Sequence, residues 1–254
     1  MEIDIVKVTA EDKMAVKDTV TDEVFLTVYL NDRVLLTLSC TPENEKELCA
    51  GFLFSSGLIH TVDDIERIFI DKKNMAAHVS LKDTAVNPDI LFDRIYTSGC
   101  GKGVLFHNVL DLAHKKAVTS PKRVQSAAII ALMKSFEHKS IGFKSTGGVH
   151  SAALSDGNTI ILFSEDIGRH NALDKVIGAA LYQNISMEES IVLISGRISS
   201  EIMYKIQKMG SPVIVSRSAP TSMAVELAKK MHVTLVGFVR GKRMNVYAAT
   251  ERVV

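Results

Sequence analysis

The sequence predicts an α/β fold in which a mixed, mostly parallel sheet is joined to a smaller β-rich N-terminal domain. Hydrophobic residues make up 46% of the 254 positions, enough for one large or two small cores without disulfide or metal support. Segments with strand periodicity dominate the first part of the chain, and strands alternate with helices in the second. We therefore predict a small β-rich domain at 1–95 and an α/β domain at 96–254.

The N-terminal elements follow from alternating apolar residues and turn chemistry. The connection at 31–33 separates two apolar runs, a pattern typical of a hairpin. Thr41 followed by Pro42 predicts the N-cap and first turn of a helix that continues to about Phe54. The predicted strands lie at 24–30, 34–38, 65–70 and 76–81.

In the second part of the chain, segments with helical periodicity alternate with segments that have strand periodicity. Ser120 and Pro121 predict the start of a helix whose apolar residues run from Val124 to Phe136. Asp156 and Gly157 predict the turn of a hairpin. The remaining segments are helices near 170–183, 199–209 and 221–231, and strands at 191–194, 213–215, 234–239 and 244–248. Strands separated by helices of this length predict the mostly parallel sheet.

The composition argues against secreted and membrane-spanning classes. Three cysteines form an odd set, which suits a reducing cytoplasm better than a disulfide framework. Charged residues between Glu2 and Asp18 interrupt any signal-peptide core. No uncharged run approaches the roughly 18–20 apolar residues of a membrane span. We therefore expect a cytoplasmic protein with no membrane partner.

The near-neutral net charge of +1 hides a division of the chain. Residues 1–95 hold 10 basic and 18 acidic side chains, whereas residues 96–254 hold 20 basic and 11 acidic ones. A basic second part next to an acidic first part is typical of a protein that binds an anion. The alternative is an uneven distribution without functional meaning.

Three similar loops carry the basic residues of the second part. Each follows an apolar strand, precedes a helix, and combines hydroxyl side chains with arginine: 164–171, 195–200 and 216–222. In an α/β sheet such loops lie at the carboxyl ends of the strands, where helix N-termini, hydroxyls and arginine forks bind phosphate. A fourth basic turn lies at 240–243. These loops predict a phosphate pocket, unless the serines only cap helices and the arginines are only solvated.

A glycine-rich loop holds the most specialised cysteine. Cys100 lies between Gly99 and Gly101, and Lys102 can stabilise its thiolate, the reactive form. A helix predicted from 105 to 113 would place the thiol near a helix N-terminus. Cys40 and Cys49 adjoin apolar residues, so we predict that both are core thiols.

The sequence gives little support to a metal site. Gly103 stands where a Cys-x-x-Cys pair would need its second thiol, and no His-x-Glu deaminase motif occurs. We therefore predict no metal and no zinc. His150 and His170 lie in polar loops, where each could transfer protons or only donate hydrogen bonds.

With these motifs the chain resembles the FdhD/NarQ family of formate dehydrogenase accessory sulfurtransferases over nearly its whole length. The resemblance rests on five blocks in one order: 145–153, 165–175, 195–201, 216–221 and 237–245. It implies a three-layer, cytidine-deaminase-like α/β/α core without the deaminase zinc. It also implies a cytoplasmic homodimer that receives persulfide sulfur from a cysteine desulfurase and transfers it to the molybdenum cofactor of formate dehydrogenase.

The resemblance also assigns site residues. It places the persulfide on Cys100 and the binding of bis-molybdopterin guanine dinucleotide, which guanosine diphosphate would mimic, on one segment of the second part. That segment consists of Phe238, Val239, Arg240, Gly241, Lys242 and Arg243. The loops add five candidate residues for the same pocket: Arg197, Arg217, Ser199, Ser218 and His170.

One departure from the family pattern concerns the cysteine loop. Many members carry Cys-Gly-x-Cys-Gly, whereas this chain has Cys100 followed by Gly103, or Thr97 in place of the first cysteine. A disulfide relay within the loop is excluded, but a persulfide needs only one nucleophilic sulfur. The alternative functions are a chaperone that only binds the cofactor, and a zinc-free hydrolase that uses His150 or His170. Neither involves a nucleic acid.

Overall fold

The elements are seen in a computed structural model that describes residues 1–83 and 117–254, with the backbone of two short strands at 95–96 and 104–105. The N-terminal elements are β1 (Glu2–Val8), β2 (Lys13–Thr19), β3 (Val24–Leu30), β4 (Arg33–Cys40), α1 (Glu45–Ser55), a 3₁₀ turn (Val62–Asp64), β5 (Ile65–Asp71) and β6 (Ala76–Leu81). The two short strands are β7 (Ile95–Tyr96) and β8 (Val104–Leu105).

The second part follows after these strands. It contains α2 (Ser126–Lys139), α3 (Ile141–Thr146), β9 (His150–Ser155), β10 (Ile160–Asp166), α4 (Arg169–Tyr182), β11 (Ile191–Ile194), α5 (Ser200–Met209), β12 (Val213–Ser216), α6 (Ser222–Met231), β13 (Thr234–Arg240), β14 (Arg243–Ala248) and a 3₁₀ turn (Thr250–Arg252). The alternation of strands and helices confirms the predicted α/β class.

The central sheet has six strands in the order β10-β9-β11-β12-β13-β14. Only the pairs β11–β12 and β12–β13 are parallel, and the other three pairs are antiparallel. The prediction of a mostly parallel sheet is therefore wrong, although the sheet is mixed as expected. Short turns close the hairpins β9–β10 and β13–β14, and a short turn joins only antiparallel neighbours because a parallel crossover needs a dozen or more residues.

Helices cover both faces of this sheet. Buried residues of α2, including Ile129 and Phe136, pack on one face against alternate strand residues such as Leu193 and Val215. The other face packs against α4, α5 and α6. Alternation of side chains along each strand gives every strand one residue set for each face. The likeness to the cytidine-deaminase core stays a prediction.

The N-terminal part forms a four-stranded sheet in the order β4-β3-β6-β5. The predicted hairpin is present as β3–β4, and the strands predicted at 65–70 and 76–81 are β5 and β6. The hairpin β1–β2 was missed because its strands carry charged residues on both faces. The short helix α3 was missed as well.

Two predicted helix starts are wrong. Helix α1 begins at Glu45 rather than after Thr41, whose hydroxyl donates to Asp166 and accepts from the Lys175 ammonium at 2.6 Å. Helix α2 begins at Ser126, because the chain forms an isolated bridge between Val124 and Val253 before the helix starts. The Ser120 hydroxyl accepts from the Lys122 amide and donates to Glu189, but no helix continues from it.

The two predicted domains share one hydrophobic cluster. It includes Leu26 and Leu48 from the N-terminal part and Leu154 and Leu173 from the second part. Helices α1 and α4 cross at Gly51 and Gly178, where a Cβ atom on either glycine would lie within 2.0 Å of the facing backbone oxygen. The predicted boundary between residues 95 and 96 falls within the short strand β7, between two stretches outside the described residues, and stays a prediction. Within the described ranges no helix is long and apolar enough to span a membrane.

Candidate anion site at one edge of the central sheet

The four loops singled out in the sequence meet at one edge of the central sheet. Strands β11, β12 and β13 are parallel, and β10 runs in the same direction because β9 is antiparallel to both β10 and β11. Their carboxyl ends therefore share an edge, at which β9 and β14 begin. In α/β sheets this is the edge where ligands bind.

Asp166 holds the first loop in place at the end of β10. Its Oδ1 accepts hydrogen bonds from the Gly168 amide at 2.8 Å and the Asn171 Nδ2 at 2.9 Å. Gly168 is the N-cap residue of α4 and has no side chain with which to cap it. Amide groups of the first turn of α4 therefore stay available at the edge, next to Arg169 and His170.

Two histidines lie beside this helix start. His150 Nδ1 is 3.3 Å from the Ser195 hydroxyl, and a Cβ atom on Gly196 would be 3.4 Å from the same nitrogen. Burial lowers the pKa of His150, and the neighbouring Arg169 and His170 charges lower it further. His150 is therefore a neutral hydrogen-bonding group at pH 7.

The His170 Nε2 and the Glu201 Oε2 lie 2.9 Å apart. Burial lowers the pKa of His170, although the Glu201 carboxylate opposes that shift. The contact joins the first turn of α4 to the first turn of α5. The predicted residue His170 thus lies at the edge and links two of the loops.

The second and third loops form a continuous surface. The Ile198 amide donates to the Ala219 carbonyl at 3.1 Å, and the Thr221 amide donates to the Ile198 carbonyl at 2.9 Å. The Ser216 hydroxyl donates to the Gly196 carbonyl at 2.7 Å. These bonds place the predicted residues Arg197 and Ser199 beside Arg217 and Ser218.

Ser199 occupies the N-cap position of α5 without capping it. Its buried hydroxyl oxygen has no hydrogen-bond partner within the described part of the chain. Arg197 is exposed two residues earlier. The second loop therefore presents a hydroxyl, a guanidinium and free helix amides at the edge.

The turn between β13 and β14 continues the surface. The Phe238 amide donates to the Ser218 carbonyl at 3.1 Å, and Arg240 Nε donates to the Arg217 carbonyl at 3.1 Å. The Arg240 guanidinium lies over the half-buried Phe238 ring, 5.5 Å from its centre. Phe238 has a positive φ of 53°, which coincides with an irregularity in the pairing of β13 and β14.

The remaining residues of this turn differ in exposure. Val239 is buried in the core cluster, whereas Gly241, Lys242 and Arg243 are exposed. Gly241 adopts φ 59°, which favours glycine in the turn. Arg217 also pairs with Glu137 of α2 at 3.3 Å, which orients its guanidinium.

The structure thus brings together all the predicted cofactor-binding residues except the buried Val239, which supports the turn from within. Arg169 and Ser195 were not selected from the sequence, although both stand in loops that it singled out. Cys100 and the helix predicted at 105–113 fall outside the described residues, apart from Leu105 in β8. In the described ranges no three His, Cys, Asp or Glu side chains cluster so as to hold a metal ion. Hydroxyls, helix amides and cations at one edge can bind a phosphorylated ligand.

Comparisons with known proteins agree on one family. A family model described as the FdhD/NarQ family matches residues 21–254. The Sulfur carrier protein FdhD of Bacillus subtilis is 41% identical over 243 residues, covering 94% of this chain and 91% of that protein. The protein of the same name from Staphylococcus aureus strain MRSA252 is 40% identical over 230 residues, covering 90% and 87%.

A solved structure shows the same fold. The crystal structure of a candidate formate dehydrogenase accessory protein from Desulfotalea psychrophila superimposes with a TM-score of 0.82 at 26% identity. The superposition covers 100% of this chain and 99% of that one. The hairpin β1–β2 therefore lies outside the residues that the family model matches and within those that this structure matches.

Proposed function

The chain belongs to the FdhD/NarQ family, and from that premise we propose that it carries sulfur for formate dehydrogenase. It accepts persulfide sulfur on Cys100 from a cysteine desulfurase and transfers it to the molybdenum cofactor, bis-molybdopterin guanine dinucleotide. The cofactor is the substrate of this transfer. A homodimer and a cytoplasmic location belong to the same proposal.

The convergence of basic and hydroxyl side chains at one sheet edge carries the proposal. A guanine dinucleotide presents phosphate groups, which match guanidinium forks and uncapped helix N-termini. Arg197, Arg217, Arg240 and Arg243 supply the guanidinium groups, and α4 and α5 supply the helix N-termini. The Phe238 ring with the Arg240 guanidinium over it adds planar surfaces for a base. The edge therefore fits the nucleotide end of the cofactor.

The chemistry of the thiols supports Cys100 as the carrier. Burial raises the pKa of Cys40 to about 12, and the nearby Asp166 raises it as well. Burial also raises the pKa of Cys49, which is fully enclosed in the core. Both predicted core thiols are therefore protonated at neutral pH and cannot act as nucleophiles. In the first step the Cys100 thiolate attacks the outer persulfide sulfur, a new S–S bond forms, and the desulfurase thiolate leaves.

We expect a one-sulfur adduct on Cys100 after incubation with a cysteine desulfurase and cysteine. Intact-protein mass spectrometry of the wild type should show this mass increase, and a reducing thiol should remove it. The Cys100→Ala variant should show no adduct, because the two remaining thiols are buried and protonated. Cys49→Ala, which removes a buried thiol, should accept sulfur like the wild type. A wild type without the adduct, or an adduct on Cys100→Ala, would contradict the sulfur-carrying role.

The chaperone alternative is favoured by one observation, since the described edge needs no thiol to bind a nucleotide. It differs from the proposal in its outcome for formate dehydrogenase. Under the proposal, Cys100→Ala binds guanosine diphosphate but does not restore formate dehydrogenase activity to cells that lack this protein. Restoration of activity by Cys100→Ala would favour the chaperone.

We expect guanosine diphosphate to bind the edge, with a dissociation constant that Lys242→Glu raises by at least about tenfold. The reversed charge repels phosphate at the exposed turn between β13 and β14. Lys230→Glu is the matched control, because Lys230 is an exposed lysine in the last turn of α6, at the opposite edge. Calorimetric titration of the three proteins measures the difference. Equal weakening by both variants would indicate a general charge effect and reject this edge as the site.

A further inference from the structure

A buried polar cluster joins the N-terminal sheet to the first loop of the site. The Thr41 amide and hydroxyl, just after β4, both donate to Asp166 Oδ2 at 3.1 Å. The Lys175 ammonium of α4 lies 2.7 Å from the same oxygen and donates to the Thr41 hydroxyl oxygen at 2.6 Å. Lys175 and Asp166 are fully buried, and Thr41 is 8% exposed. We call Thr41, Asp166 and Lys175 the buried clasp.

The same carboxylate holds the loop of the site with its other oxygen. Asp166 Oδ1 accepts from the Gly168 amide and from Asn171 Nδ2, which also donates to the Ser39 carbonyl of β4 at 2.8 Å. One oxygen of Asp166 therefore faces the N-terminal sheet, and the other fixes the residues that begin α4. Rotation of this carboxylate would move both sets of contacts together, because a carboxylate is a rigid planar group.

We propose that Thr41 is a positioning residue, through which the N-terminal sheet sets the place of Arg169 and His170 at the anion edge. Without the Thr41 hydroxyl, Asp166 loses one donor and Lys175 loses its shortest hydrogen bond. The loop 167–170 then loses its fixed anchor, and Arg169 and His170 leave the arrangement that faces the ligand. The inference rests on the proposed function for its ligand, and on the described contacts for the coupling.

The chain offers a matched control on the other side of α4. The Ser55 hydroxyl of α1 donates to Asp174 Oδ1 at 2.7 Å, and Asp174 pairs with Lys205. This cluster also joins the N-terminal part to α4 through one hydroxyl, one carboxylate and one lysine. The Lys205 charge of this cluster lowers the pKa of His170, but loss of the Ser55 hydroxyl leaves both Lys205 and Asp174 in place. Loss of the Ser55 hydroxyl therefore reports the cost of an interdomain hydrogen bond alone.

The experiment compares Thr41→Val, Thr41→Ser and Ser55→Ala with the wild type. We expect Thr41→Val and Ser55→Ala to lower the unfolding temperature to a similar extent, whereas only Thr41→Val weakens binding of guanosine diphosphate, by roughly three- to tenfold. Thr41→Ser keeps the hydroxyl and should restore wild-type affinity. If Thr41→Val does not fold, Thr41→Ala, which leaves room for a water molecule, takes its place.

A second readout needs no nucleotide. Nuclear magnetic resonance titration of the histidine rings measures the pKa of His170 directly. This pKa should rise toward its ordinary value in Thr41→Val and stay unchanged in Ser55→Ala. If the wild type binds no guanosine diphosphate but His170 responds in this way, the proposed ligand fails and the coupling stands. If Thr41→Val changes only the unfolding temperature, and neither affinity nor the His170 titration, the positioning role is overturned.

Discussion

Gly178→Ala is expected to destabilise the protein by more than about 3 kcal/mol, above the usual cost of an overpacked core residue. A Cβ atom on Gly178 would lie 1.9 Å from the Glu47 carbonyl oxygen and 2.8 Å from the Glu47 Cα. A Cβ atom on Gly51 would lie 1.8 Å from the Asp174 carbonyl oxygen. Both obstacles are backbone atoms, so no rotamer change relieves the clash. The helices α1 and α4 must separate, and the shared hydrophobic cluster must open with them.

Urea unfolding of Gly178→Ala, Gly51→Ala and Gly147→Ala measures this effect. Gly147 ends α3 at φ 66°, and a Cβ atom added there would meet no other atom of the described chain within 4 Å. Gly147→Ala should therefore lower the free energy of unfolding only by the cost of placing alanine in the left-handed backbone conformation, about 1–2 kcal/mol. In an unobstructed helix interior, glycine to alanine is stabilising by roughly 0.5–1 kcal/mol. A Gly178→Ala protein as stable as the wild type would show that the two helices separate at little cost.

These glycines illustrate what the sequence could not predict. Gly51 and Gly178 stand inside apolar helical segments, and nothing in either segment indicates which helix it meets. Their role comes from a crossing between residues more than a hundred positions apart. The same limit applies to Thr41, whose local context predicts a helix cap and whose hydroxyl instead accepts from Lys175 and donates to Asp166. Local patterns indicate local structure, and a buried long-range partner overrides them.

The loops were more predictable because their signal is local. An apolar strand followed by serine, glycine and arginine before a helix places those residues at a strand's carboxyl end, whatever the order of strands. Strand order itself was not predictable to the same degree. The positions of β9 and β14 depend on hairpin pairing within the sheet, which periodicity does not specify. The error in strand order does not change which loops share the edge. Strands β10, β11, β12 and β13 run in one direction, and β9, which lies between β10 and β11 in the sheet, runs in the opposite direction.

Lys175→Met, which removes the lysine of the buried clasp, should lower the free energy of unfolding by about 3–5 kcal/mol. The substitution removes the ammonium 2.7 Å from Asp166 Oδ2 and leaves a fully buried carboxylate without its opposite charge. Lys205→Met is the matched control at the ion pair between Asp174 of α4 and Lys205 of α5. The Lys205 side chain is 14% exposed, so water can partly solvate the Asp174 carboxylate once the ammonium is gone. The loss of unfolding free energy should therefore be smaller.

A double substitution separates loss of packing from loss of charge balance. Asp166→Asn removes the uncompensated charge, so the protein with Asp166→Asn and Lys175→Met should be less destabilised than the sum of the two single variants. Urea unfolding of the four proteins gives the coupling free energy, and purely additive costs would contradict a charge-paired clasp. Asp166 also holds Gly168 at the anion edge, so Lys175→Met disturbs the fold and the site together. Thr41→Val keeps both charges, and for that reason it is the variant that separates positioning of the site from stability of the fold.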